Sequence, residues 1–161
     1  MKDNEPIFIT DNGKSPTLIT FILFWQTARE ASKYVDSFLY KHANISTIHM
    51  IVLQSIEHNN GIMSPSEIAH WTNTKRHNIT TLIRRMKKEG MVRIERDKKD
   101  RRNVNVIITD KGRLVLTNAI PIAQEAINQV MSSISNSDIS PVQRVFTLMR
   151  KNVYDGISKI T

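Results

Sequence analysis

At 161 residues, 40% of them apolar and 24% charged, the chain is long enough for one domain with a buried core and too short for two ordinary ones. Lys and Arg number 23 against 15 Asp and Glu, a formal net charge of +8 that favours a polyanionic partner. Cysteine is absent, which excludes disulfides, thiolate metal sites and a cysteine nucleophile. No stretch has the apolar length of a membrane span or signal peptide, so a cytoplasmic protein without membrane contact is expected.

The charge is concentrated. Between Gly61 and Asn118 stand 14 basic and 6 acidic residues, a net of +8, while the rest of the chain holds nine of each. A basic module set in a neutral frame suits a surface that grips phosphates, although a solvated helix face accounts for charge alone.

Residues 1–14 lack periodicity and read as a flexible tail. From about residue 16 to 41, Leu18, Phe21, Ile22, Trp25, Ala28, Val35 and Leu39 recur at helical spacing, and Phe24, Tyr34 and Phe38 widen the stripe beyond what one core needs. A second helix, capped by Ser46, runs to about Glu57 and stops in His58-Asn59-Asn60-Gly61. Ser64-Pro65-Ser66-Glu67 is a capping box with proline at the first helical position. It opens a short helix on which Ile68, Ala69 and Trp71 read as core. A third helix spans about Lys75 to Glu89 and ends at Gly90.

The period then changes from 3.6 to 2. Val92 to Arg96 and Val104 to Ile108 read as a β-hairpin with a long basic tip. Thr109 caps a helix of about 25 residues, roughly 38 Å at 1.5 Å per residue, through which Pro121 is expected to bend rather than break it. A last helix, opened by Ser137-Asp138 or Ser140-Pro141, carries Val142, Val145, Phe146, Met149, Val153, Ile157 and Ile160. The flanking helices have more apolar face than the basic module can cover, which predicts a homodimer interleaved through them; an intrachain bundle is the alternative.

Three helices followed by a hairpin define a winged helix-turn-helix, mainly α with a small β-wing, flanked by long dimerisation helices. The expected division is a DNA-binding region over residues 46–114 and a dimerisation region of 15–45 with 115–161. In the third helix Ile79, Leu82, Ile83 and Met86 form the inner side. His77, Thr81, Arg84 and Lys88 form the outer one, flanked by Thr80 and Arg85, and Lys75, Arg76 and Asn78 occupy its first turn. Arg and Asn suit bidentate contacts with guanine and adenine edges, and Arg84 is the leading base-reading candidate.

The run from Leu82 through Asp100-Arg101-Arg102 and Val104-Asn105-Val106-Ile107-Ile108-Thr109-Asp110-Lys111-Gly112 resembles the recognition-helix-to-wing signature of the MarR family of bacterial transcriptional regulators. The resemblance implies a homodimer on a palindromic duplex site. It also implies a wing, Lys98, Lys99, Asp100, Arg101 and Arg102, in which Arg102 enters the minor groove and Asp100 orients it. An effector pocket between the dimer helices and the winged module is implied as well. Trp25, Tyr34 and Phe38 are candidates to line it for a small aromatic or amphipathic molecule, core or dimer interface being the plainer role for aromatics at helical spacing.

No metal or cofactor is expected, since the five histidines lack ligand spacing, and no phosphate loop or catalytic string argues for an enzyme. The expected function is a sequence-specific transcriptional regulator, a repressor released by an effector. The alternative is a basic winged adaptor or RNA-binding module without operator specificity.

Overall fold

The computed structural model describes residues 15–96 and 104–160. It comprises two compact units, one up to Ile127 and one from Asn128 on, so the division falls inside a helix. The elements of the first unit follow from local signals that mostly agree with the sequence.

Helix α1 (Pro16–Ala43) has proline in its first turn and ends at Asn44, whose φ of 54° turns the chain left-handed while its N–H donates to the Tyr40 carbonyl. Of its wide apolar arc only Leu39 is fully buried. Helix α2 (Thr47–His58) has Ser46 at its N-cap position, but the Ser46 hydroxyl shares a 2.6 Å hydrogen bond with His49 Nδ1 instead of capping. Asp36 of α1 takes over by accepting the Thr47 N–H at 2.7 Å. Asn60 and Gly61, both with positive φ, lead into strand β1 (Ile62–Met63), which no periodicity announces because it has two residues.

Helix α3 (Pro65–Trp71) starts as expected: the Glu67 N–H donates to Ser64 Oγ, and the Ser64 N–H donates to the Glu67 carboxylate at 2.7 Å. Trp71 is not core. It is 54% exposed, its ring 5.5 Å from that of His58. Ile68 and Ala69 fill the inner side of this short helix, and at 100° per residue Trp71 falls about 110° from the centre of that side.

Helix α4 (Arg76–Lys88) closes with two bonds of a glycine C-cap, Gly90 N–H to the Lys87 carbonyl and Met91 N–H to the Met86 carbonyl, with Gly90 at φ 76°. Strands β2 (Val92–Arg96) and β3 (Val104–Ile108) keep the predicted limits and pair antiparallel, Val92 opposite Ile108 and Arg96 opposite Val104; the sheet order is β1-β3-β2. The core behind this sheet contains Leu39, Val52, Leu53, Ile56, Ile68, Ile79, Met86, Val92, Val106 and Ile108. Each such aliphatic side chain contributes about 1.5–3 kcal/mol.

Helix α5 (Asp110–Met131) is capped by Thr109, whose Oγ1 accepts the Gly112 N–H at 3.0 Å, and it continues through Pro121. It is 22 residues long, ending earlier than its apolar stripe suggests. Helix α6 (Asn136–Ile160) begins ahead of both expected openings: the Asp138 N–H already donates to the Ser135 carbonyl at 3.0 Å, and Pro141 lies inside the helix. None of the residues of α6 is buried. Among the described residues no helix is long and apolar enough to cross a membrane.

Candidate nucleic-acid interface

The fold presents α4 as an amphipathic rod. Ile79, Ile83 and Met86 are buried, Leu82 is half-buried, and His77, Thr81, Arg84 and Lys88 are exposed on the opposite side, as the helical arithmetic requires. Arg76, Asn78 and Arg85 are exposed on its flanks and Lys75 at its N-cap; Thr80 is half-buried. These nine side chains therefore share one helix and its lead-in. Arg76, Arg84 and Lys88 have no ion-pair partner among the described residues.

The start of α4 breaks the usual rules of helix ends. Lys75 provides no side-chain cap, and the first turn carries no acid but Arg76 and His77. Cations at the positive end of a helix dipole cost a few tenths of a kcal/mol each, and uncapped N–H groups seek an acceptor. A phosphate oxygen relieves both. The two threonines are pre-set: Thr80 Oγ1 donates to the Arg76 carbonyl at 3.0 Å and Thr81 Oγ1 to the His77 carbonyl at 3.1 Å. With its donor spent inside the helix, Thr81 offers a methyl group and an acceptor, which suits a thymine methyl or a donor edge.

The other end of α4 is anchored. Lys111 Nζ donates to the Glu89 carbonyl at 2.6 Å, and Thr109 Oγ1 lies 2.7 Å and 3.0 Å from the Gly90 and Met91 carbonyl oxygens it shares its proton between. The first turn of α5 thus holds the end of α4. Lys111 is one of several members of the basic cluster that are occupied within the chain. Arg113 pairs with Glu57 at 3.0 Å and Asp110 at 3.5 Å, and Arg93 pairs with Glu95 at 2.9 Å. Such exposed pairs add little stability, but they leave fewer cations for a polyanion than the raw count implies.

In the wing, Val92, Val106 and Ile108 point into the core while Arg93, Glu95 and Arg96 face solvent. The wing-tip residues Lys98, Lys99, Asp100, Arg101 and Arg102, like residues 1–14, lie outside the described residues.

The candidate effector residues all sit on α1. The Tyr34 and Phe38 rings are 6.0 Å apart; Trp25 lies about 13 Å from Tyr34 along the axis, 48% exposed, with the Arg29 guanidinium 5.0 Å above its ring. A cleft of about 570 Å³ opens elsewhere in the first unit, and none of these three residues lines it. Its walls include His49, only 3% exposed, whose imidazole pKa is pushed below the ordinary value by burial and then by the Arg85 charge. His42, by contrast, is exposed against the Phe38 ring. Among the described residues no cluster of His, Asp and Glu has metal-binding geometry.

Residues 45–112 match the winged helix DNA-binding domain family. Among solved structures, the chain resembles the MarR family transcriptional regulator Sco3205 from Streptomyces coelicolor in complex with DNA. That match has 18% identity and a TM-score of 0.78 over 87% of this chain and 92% of that one. The transcriptional regulator BldR from Sulfolobus solfataricus matches at 27% identity and a TM-score of 0.69, over 83% of this chain and 95% of that one. An organohalide-sensing transcriptional regulator in its 2,4-dichlorophenol-bound form matches at 18% identity and a TM-score of 0.76, over 92% and 89%. A comparison with proteins of curated function gave no match. The chain is a winged-helix protein, mostly helical with a small antiparallel sheet. Its fold is that of the MarR family of transcriptional regulators.

Proposed function

We propose that the protein is a cytoplasmic, sequence-specific transcriptional regulator that binds duplex DNA as a homodimer on a palindromic site, acting as a repressor that a small molecule releases. The observation that carries this reading is the outer face of α4. Arg76, His77, Thr81, Arg84 and Lys88 are all exposed on a helix whose inner face is locked into the core and whose start lacks a cap. That arrangement can enter a major groove without rearrangement. Lys75, Asn78, Thr80 and Arg85 flank the contact, and the wing residues Lys98 to Arg102, with Asp100 orienting Arg102, reach the adjacent minor groove.

The homodimer is supported by apolar side chains that remain exposed. Leu18, Phe21 and Trp25 lie on α1, Ile120 on α5, and Val142, Val145, Leu148 and Val153 on α6. Light scattering at low micromolar concentration should give twice 18.5 kDa. Two recognition helices related by a two-fold axis then demand half-sites about 10 to 10.5 bp apart.

Selection of bound genomic fragments, followed by competition with random duplex, tests the function. A specific regulator keeps its selected site with a preference of about a thousandfold or more. Loss of the site to an equal excess of random duplex, or a preference for structured RNA, would establish the basic adaptor instead.

A further inference from the structure

The outer face of α4 carries one short side chain among long ones. At 100° per residue His77, Thr81, Arg84 and Lys88 fall within about 60° of one another, and Thr81 is the shortest of the four. It is exposed and lies in the N-terminal half of the 13-residue helix, the half that a helix-turn-helix protein turns towards base edges. A short side chain contributes there only by direct apposition to a base, since it cannot reach past one to a phosphate.

The two branches of Thr81 are not equivalent. Its Oγ1 donates to the His77 carbonyl at 3.1 Å, which draws the oxygen, with its remaining acceptor capacity, back onto the helix and leaves the methyl as the branch open to a partner. The same bond fixes χ1, so the methyl gives up no rotamer freedom when a partner arrives. Thr80 makes the equivalent bond at 3.0 Å but is half-buried on the flank, so Thr81 is the better placed of the two. In a major groove the C5 methyl of thymine is the apolar feature of the base edges, and an exposed methyl set among polar side chains is its complement.

We infer that Thr81 reads the C5 methyl of a thymine, so that each half-site carries a thymine at a fixed place beside the base read by Arg84. The inference rests on the DNA-binding reading of α4. Residues 81 and 84 are about 4.5 Å apart along the helix axis and stacked base pairs about 3.4 Å apart, so with the reach of an arginine added the thymine lies within about three base pairs of the position that Arg84 reads. The contact is specific to the methyl group, because uracil presents the same hydrogen-bonding edge without it.

The test uses the full chain and a selected duplex in which thymines are replaced one at a time by deoxyuridine, which removes the methyl and keeps the base pair. Anisotropy titration at fixed salt should find one thymine per half-site whose replacement weakens binding about fourfold, and about fifteenfold when both half-sites are changed. Thr81→Ser, which keeps the hydroxyl and loses the methyl, should bind the thymine and deoxyuridine duplexes equally. Thr81→Val, which keeps the methyl and loses the hydroxyl, should still separate them. Indifference of the unmodified protein to deoxyuridine at every thymine overturns the inference without any variant having to fold. A methyl effect that persists in Thr81→Ser or vanishes in Thr81→Val overturns it too, as does a sensitive thymine far from the position that Arg84→Ala relaxes. Failure to select any duplex counts against the proposed function, whereas deoxyuridine indifference on a duplex that is held counts against Thr81 alone.

Discussion

A single methyl group tests how α5 is seated against the end of α4. Gly112 is the third residue of α5, and a Cβ there would lie well inside van der Waals contact of the Met91 carbonyl oxygen, 3.1 Å from its carbon and 2.9 Å from Ile108 Cγ1. To restore an ordinary separation of roughly 3.5 Å, the two segments must part by about 1 Å. The Met91 carbonyl cannot move freely, because it accepts the Thr109 N–H at 3.1 Å and part of the Thr109 hydroxyl bond. Weakening those two bonds costs about 0.5–1.5 kcal/mol each, and overpacking against Ile108 about 1–3 kcal/mol. Replacing a helical glycine by alanine returns about 1 kcal/mol. Gly112→Ala should therefore lose about 1 to 5 kcal/mol. Gly156, inside α6, has nothing within 4 Å of its would-be Cβ, and Gly156→Ala should gain about 0.5–1 kcal/mol. Urea unfolding at matched protein concentration measures both, the matching being necessary because the stability of the proposed dimer would depend on concentration. A Gly112→Ala protein as stable as the unmodified chain would refute the close seating of α5 on the Met91 turn.

Other substitutions separate the roles along the interface. Arg84→Ala should cost about 1 to 3 kcal/mol of binding and relax base preference at one position per half-site, while Lys88→Ala should weaken all sequences evenly and flatten the salt dependence. Unchanged anisotropy titrations for both would remove this face from DNA. At the wing, the proposed role of the Asp100 carboxylate in orienting Arg102 predicts that Asp100→Asn weakens binding even though it removes a negative charge expected near phosphates. In an Arg102→Ala background the loss should nearly vanish, and additive losses in the double mutant would leave Asp100 a turn residue. For His49, burial and the Arg85 charge lower the folded pKa despite the opposing charges of Glu89 and Asp36. The unfolded state then binds more protons below about 6.5, so stability should fall as the pH drops through that value towards the lower folded one. His49→Gln should show a shallower acid loss, and an equal one would exclude this imidazole as its source.

Much of the fold was legible because its signals are local. Ser64 with Glu67, Gly90 after an apolar stripe, and the β-branched runs from Val92 and Val104 each state their structure within a few residues. Where two local signals compete the reading slips, as at α6, where Ser137 and Ser140 both resemble caps while the helix starts ahead of both, at Asn136. Trp71 misleads for a different reason. In a seven-residue helix the buried arc is set by whatever packs against it, and Ile68 and Ala69 suffice. The outer face of α4 follows from periodicity alone. The cleft does not, because its residues come from four separate stretches and only the fold makes neighbours of Ser46, Arg85 and Lys111. Arg85 was visible as a cation on the rim of α4, but nothing in its surroundings along the chain points to Lys111.

The two ends of α4 differ in a way that bears on mechanism. Its C-terminal end satisfies local rules several times over, with a glycine cap, basic residues in the last turn, and donors from Thr109 and Lys111 on its final carbonyls. Its N-terminal end violates them, with no side-chain cap and cations where the dipole favours acids. A helix under no demand but stability would have acquired a serine or aspartate at position 75, worth about 1 kcal/mol. Sequences depart from local consistency chiefly where function imposes a competing requirement. The requirement that fits here is an anionic partner supplied from outside, which turns the unfavourable start of the helix into binding affinity while the anchored end keeps the helix in register with the wing.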